Sequence, residues 1–173
     1  MTERSIVLLR HSKAEQPDGV ADVERPLTDR GHADAAAAGA WLTGSDNLPD
    51  LVLCSPAKRT RQTWHGVAVA IAGTAGESGP GAGAPEVRYE QALYTGSVGD
   101  LLAVLRDAGD AYETVLVVGH NPAISDLSVL LDPNSGADEG LRTSGIAVHR
   151  FTGSWGDLAA DSAAVTDSHT ARG

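Results

Sequence analysis

The chain has 173 residues, 42% of them hydrophobic and only 4% aromatic, which predicts one globular domain with a substantial core. Its 13 basic and 23 acidic side chains give a net charge of −10, which argues against non-specific binding to nucleic acid or an anionic membrane. A phosphate substrate would have to be held by a local cluster of arginines against that field.

The cysteine Cys54 lies inside the apolar run Leu51-Val52-Leu53-Cys54. It reads as a buried, inert thiol, and a lone cysteine leaves no internal disulfide. Met1-Thr2-Glu3-Arg4 does not resemble a signal peptide. No apolar run approaches the roughly 18 residues of a membrane span. A cytoplasmic protein is expected. Nothing in the sequence specifies an oligomeric state.

In chain order, Ile6-Val7-Leu8-Leu9 is a short continuous apolar run, the pattern of a central strand covered on both faces. Residues 20–26 read as a polar loop. Thr28 is the expected N-cap of a helix with Ala35, Ala38, Trp41 and Leu42 on one face. The second strand is 51–54, and Pro56 suits the opening turn of the next helix. There Trp64, Val67, Ala68 and Ile71 form a buried stripe. The Gly- and Pro-rich stretch 73–85 reads as a flexible surface loop. Val87-Arg88-Tyr89 is a possible short strand. Ser97 and Asp100 have the spacing of a capping box, opening a helix with Val98, Leu101, Leu102 and Leu105 inward and closing near Gly109.

Residues 114–118 are apolar and mostly β-branched, the strongest strand pattern in the chain. Asn121 is then expected to cap a helix with Pro122 at its first position and Ile124, Leu127 and Leu131 inward. Residues 145–151 and 158–166 read as two late strands joined by a turn at 153–156, with a frayed C-terminal tail. Strand–helix alternation of this kind predicts a three-layer α/β/α sandwich around a mostly parallel sheet.

Right-handed crossovers would bring the carboxyl ends of the strands to one edge, where Arg10-His11, Ser55 and His120 would converge. Arg59, one turn into the helix after Ser55-Pro56, joins them. Two arginine forks can neutralise a phosphoryl dianion. A neutral histidine facing phosphorus is a competent nucleophile, and a second histidine, if protonated, can donate to an oxygen where charge develops. The N-terminus of the helix after His120 would add a positive dipole end. Such a site needs no metal or other cofactor, because cationic side chains supply the electrostatics. His32, His65 and His149 read as a solvated, a partly exposed and a polar-face residue, without metal-ligand spacing. Arg61 reads as half of a surface ion pair, and Lys13 and Lys58 as rim or solvated groups.

Arg10-His11 after the first strand, Ser55-Pro56-x-x-Arg59-x-x-Gln62-Thr63 after the second, and Gly119-His120-Asn121-Pro122 after a later one resemble the histidine phosphatase superfamily. Arg25-Pro26-Leu27-Thr28 with Gly31, and Thr143-Ser144-Gly145, are similar to its SixA-type phosphohistidine phosphatase branch. The resemblance implies a phosphoglycerate mutase-like sandwich with no large cap domain. It implies His11 as the phosphorylated nucleophile, with Arg10, Arg59 and His120 completing the phosphate pocket. The implied partner is a phosphorylated protein bearing phosphohistidine, or else a small phosphorylated substrate.

The chain departs from that pattern at Ser12, where the family usually has glycine, and at the long 73–85 stretch. It departs again where relatives carry an acid to protonate the leaving group: here Glu90, Tyr94 or no residue fills that role, Tyr94 standing where SixA-type members often have it. A missing acid favours a phosphoramidate, whose nitrogen can leave already protonated. The alternatives are a sugar or nucleotide phosphate phosphatase or mutase, and a non-catalytic phosphate-binding scaffold.

Overall fold

Strands β1 (Glu3–Arg10), β2 (Leu51–Cys54), β3 (Glu86–Tyr89), β4 (Thr114–Gly119), β5 (Gly145–Thr152) and β6 (Ala164–Thr170) form one sheet ordered β3-β2-β4-β1-β5-β6. The computed structural model describes residues 2–74, 84–135 and 140–173. β3, β2, β4 and β1 run parallel to one another, while β5 is antiparallel to both β1 and β6. The central strands are apolar throughout because both faces are covered.

Helices α1 (Asp29–Gly44) and α2 (Lys58–Thr74) pack on one face. Val7, Leu9, Val52, Leu116 and Val118 meet Ala38, Leu42, Trp64 and Val67 there. Helices α3 (Ala92–Thr95), α4 (Val98–Arg106) and α5 (Ala123–Leu131) cover the other face. Alternate strand residues, among them Ile6, Leu8, Leu53 and Val117, pack there on Leu93, Leu101, Leu105, Ile124 and Leu127. The result is a mixed α/β sandwich, as expected.

Several local expectations need correction. Asn121 stands one residue too early to cap α5. Pro122 takes the N-cap position, and Asn121 instead donates through Nδ2 to Leu141 O at 2.8 Å and accepts from Ser125 Oγ. The last strand begins at Ala164, not 158, because 155–157 form a 3₁₀ turn that drives Trp155 fully into the core, edge-on to Phe151. His149 is fully buried, because α5 covers that face of β5. Its Nε2 pairs with Ser128 Oγ and its Nδ1 with Ala163 O.

The C-terminal residues are pinned, not frayed. Ala171 N donates to Ser144 O at 3.0 Å, Arg172 Nη1 to Thr143 O at 2.9 Å, and Gly173 N to the buried Asp34 Oδ1 at 2.9 Å. Of the loop expected at 73–85, Gly73 and Thr74 complete α2, and 75–83 lie outside the described residues.

The start of α1 is fixed by close backbone contact. Thr28 Oγ1 accepts from Gly31 N at 2.9 Å, and Thr28 N donates to Lys13 O at 2.9 Å. A Cβ added at Gly31 would stand 2.1 Å from Lys13 O. Helix propensity favours alanine over glycine by about 1 kcal/mol, but a backbone carbonyl cannot yield that distance cheaply. Gly31→Ala is therefore expected to lower stability by about 2 kcal/mol. An unchanged or raised urea midpoint would contradict it.

Candidate active site

Three parallel strand ends meet at one edge. His11 N donates to Gly119 O at 3.1 Å and Ser55 N to Val118 O at 3.1 Å, so the residues following β1, β2 and β4 stand side by side. The His11 and His120 rings lie 5.3 Å apart between centroids. His120 Nε2 is 2.8 Å from Ser55 Oγ.

His11 Nδ1 lies 2.8 Å from Ser12 O. A carbonyl only accepts, so Nδ1 carries the proton and Nε2 keeps its lone pair. Burial pushes the His11 pKa down to about 4, aided by the charges of Arg59, Arg10 and Arg25 and opposed by the Ser12 bond. The ring is thus neutral near pH 7, the form a nucleophile requires. Burial and the Arg59 charge likewise hold His120 down at about 3. The protonated second histidine considered from the sequence is therefore not the state of the free site.

Arg10 donates through Nη1 to Leu141 O at 3.2 Å. Arg59 is buried, and its Nη1 and Nη2 are spent on Asp22 O at 2.8 Å and Asp22 Oδ2 at 3.1 Å. Among the described residues, Arg10 Nε, Arg59 Nε and His120 Nδ1 are buried without a hydrogen-bond partner. Orphaned buried polar groups are costly, so the two unpaired guanidinium N–H groups among the described residues give this edge free donor capacity that an anion could use.

The loop bearing His11 is immobilised by side chains from three segments. Ser12 N donates to Thr63 Oγ1 at 3.0 Å, and Ser12 Oγ is hydrogen-bonded to Ser144 Oγ. Ser144 N reaches Arg10 O and His11 O, each at 3.2 Å. The hydroxyl that replaces the usual glycine thus has a partner. Gln62 Oε1 accepts from Leu27 N at 2.8 Å and fastens the 25–28 segment beside α2.

Asp22 is the residue that sequence reading missed. It begins a 3₁₀ turn (Asp22–Glu24), and its Oδ2 accepts from Arg59 Nη2 and, at 2.6 Å, from Tyr94 OH. The Tyr94 bond, then Arg25 and Arg59, hold the Asp22 carboxyl far below the usual carboxylate range against the opposing effect of burial. Tyr94 stands edge-on to His120 at 5.5 Å, with the Arg59 guanidinium 6.0 Å from its ring centre. The polar loop 20–26 carries no periodicity that would single out Asp22. Its one signal is the acidic-to-basic spacing from Asp22 to Arg25, whose Nη1 lies 3.1 Å from Asp22 Oδ1.

Glu90 closes β3, with its N donating to Cys54 O at 3.0 Å. Among the described residues its carboxylate makes no hydrogen bond or ion pair with the four pocket side chains. Cys54 is fully buried, and burial pushes its thiol up to about 12. Among the described residues Arg61 makes no ion pair; its Nε donates to Pro56 O at 2.9 Å. His32, His65 and Lys13 are exposed, and Lys58 is half-buried.

The depressed histidines have a consequence for stability. His11, His120 and His149 all bind protons less readily in the fold than at the usual 6.5. Below about pH 6.5 the unfolded chain therefore takes up more protons than the folded one, and stability falls from there toward pH 4. The thermal midpoint is expected to be lower at pH 5 than at pH 7. A midpoint that held or rose would contradict this.

Residues 6–75 match the family model of the histidine phosphatase superfamily (branch 1). The uncharacterized protein Rv1276c of Mycobacterium tuberculosis (strain H37Rv) is 40% identical over 172 residues, covering 95% of this chain and 100% of that protein. A solved structure from Nakamurella multipartitia, provisionally named phosphohistidine phosphatase SixA, is 35% identical. It superposes with a TM-score of 0.82, covering 99% of this chain and 98% of that one. The protein histidine phosphatase SixA complexed with tungstate is 24% identical, with a TM-score of 0.76 and 96% of each chain covered, and shares the fold.

Proposed function

Because the chain belongs to the histidine phosphatase superfamily, in its SixA-type branch, we propose that it hydrolyses phosphohistidine in proteins through a phosphohistidine formed at His11. In this reading His11 Nε2 attacks phosphorus while Arg10 and Arg59 bind the non-bridging oxygens. The incoming dianion offsets the arginine charges that depress His120. His120 can then take a proton and donate through Nδ1, while Ser55 holds the ring by Nε2. These side chains carry the charge stabilisation, so the chemistry needs no metal ion.

The observation that carries the reading is the geometry around the nucleophile: His11 Nδ1–H is bound to Ser12 O, which leaves Nε2 with its lone pair, while Asp22 accepts from the Tyr94 hydroxyl. His11 and His120 are neutral near pH 7, Asp22 is ionised, and the Tyr94 hydroxyl proton is committed to Asp22. An alkoxide leaving group needs an acid beyond His120, whose proton serves the phosphoryl oxygens; among the described residues the Tyr94 hydroxyl proton is held by Asp22 and the Glu90 carboxylate stands apart from the pocket side chains. A phosphohistidine protonated at its distal ring nitrogen leaves as neutral imidazole and needs no proton from the enzyme. That favours a phosphoramidate over a sugar or nucleotide phosphate, and the preformed nucleophile favours an enzyme over a scaffold.

The test compares kcat/KM for a phosphohistidine peptide with that for sugar and nucleotide monophosphates. A clear preference for the peptide is expected. Equal or greater activity on the monophosphates would overturn the reading.

A further inference from the structure

We propose that Asp22 is a specificity-determining residue, selecting substrates whose leaving group presents an N–H or a positive charge. The inference rests on the phosphatase reading above and names what the same site prefers. Asp22 Oδ2 is held by Arg59 Nη2 and Tyr94 OH, and Oδ1 by Arg25 Nη1 at 3.1 Å. Three donors fix the carboxylate in one orientation, yet its side chain is 53% exposed. A carboxylate offers about four lone-pair positions, so these bonds leave acceptor capacity facing outward.

The open side is a shallow surface depression lined by Asp22 with Gln16, Pro17, Val20 and Arg25. It adjoins the phosphate pocket, because Arg59 belongs to that pocket and donates to Asp22 directly. The Asp22 charge also reaches His120, whose proton affinity it raises. A leaving group departing from a phosphoryl held by Arg59 and facing His11 therefore moves beside a fixed carboxylate acceptor whose two arginine partners occupy its other lone pairs. Arg25 and Arg59 flank that charge but point their donors into it, so the outward face remains an acceptor.

During transfer the phosphorus–nitrogen bond of the substrate breaks as the bond to His11 Nε2 forms. The electron pair of the broken bond returns to the substrate nitrogen, and the imidazole leaves neutral with its distal N–H intact. No proton passes to or from Asp22. Its carboxylate accepts a hydrogen bond from that N–H, which is most acidic while the ring is still phosphorylated and protonated. A leaving group bearing a carboxylate or a second phosphate can donate nothing to that oxygen and gains no such bond.

Asp22→Asn removes the charge and leaves the main-chain Asp22 O, which still accepts from Arg59 Nη1 at 2.8 Å. The variant and the wild type are compared on a phosphohistidine peptide, on phosphocholine with its cationic leaving group, and on 3-phosphoglycerate with its anionic one. The variant is expected to lose about 10- to 100-fold in kcat/KM on the first two and to hold or gain on the third. A uniform loss on all three would overturn the proposal, since Asp22 would then only brace Arg59 and Tyr94. Wild-type enzyme that ignores the phosphohistidine peptide but turns over both esters would sink the phosphohistidine reading. The phosphocholine-to-phosphoglycerate ratio would still report on Asp22 in that case.

Discussion

His11→Ala is expected to lower turnover by about 10⁴-fold or more while the protein still folds. The side chain is buried at the mouth of the site, where Nδ1–H donates to Ser12 O at 2.8 Å. Losing that bond costs about 1 kcal/mol, partly offset because a buried, partly desolvated imidazole is removed with it. The backbone at this point is held independently, by His11 N on Gly119 O and by Ser144 N on Arg10 O and His11 O. Catalysis has no such reserve. His120 has its Nε2 engaged with Ser55, and Cys54 is sealed in the core with its thiol pushed up to about 12, so neither replaces the missing lone pair. Wild-type protein quenched during turnover should carry acid-labile phosphate at His11, and the variant none. Labelling that persists in the variant, or a rate reduced less than tenfold in folded protein, would refute the assignment.

The convergence of Arg10, His11, Ser55, Arg59 and His120, which we propose as the phosphate pocket, was legible because these residues stand where regular structure stops. An apolar run ending in Arg-His or Gly-His marks a strand's carboxyl end, and parallel topology brings such ends together whatever their separation in sequence. Ser55-Pro56 does the same for β2, and the helical turn that follows delivers Arg59. Asp22 escaped because its role comes from contacts 37 and 72 residues away, to Arg59 and Tyr94, made by a loop with no repeating pattern. Tyr94 was visible only through a family likeness, since a lone tyrosine on a four-residue helix has no pattern to reveal its partner.

The same limit explains the other misreadings. His149 alternates with apolar neighbours as a solvated residue would, but α5 lies over it and supplies Ser128. The polar sequence at the C-terminus looks free until the buried Asp34 is found holding Arg172 and Gly173. Periodicity reports which faces differ. It does not report what covers them.

Arg59→Ala is expected to lower kcat/KM by about 10³-fold or more, and to move the pH profile in a direction that identifies the cause. Arg59 serves three functions at once: its unpartnered Nε joins the anion-receiving set, its Nη groups hold Asp22, and its charge depresses both histidines. Lysine cannot replace it, because a point charge lacks the planar fork that engages Asp22 through two nitrogens at once. In the wild type, kcat/KM should fall as pH drops through about 4, where His11 Nε2 takes a proton and loses its nucleophilic pair. Without Arg59 one source of positive charge is gone, so His11 and His120 both bind protons more readily and the acid limb moves to higher pH. It stops short of the usual 6.5, because burial, the largest cause for each ring, remains. Stability should change by about 1 kcal/mol or less, since Asp22 is half-exposed and keeps Arg25 and Tyr94, and Arg10 is freed from a like charge. An acid limb that stays in place or moves down, at comparable stability, would show that Arg59 does not set the protonation of the nucleophile.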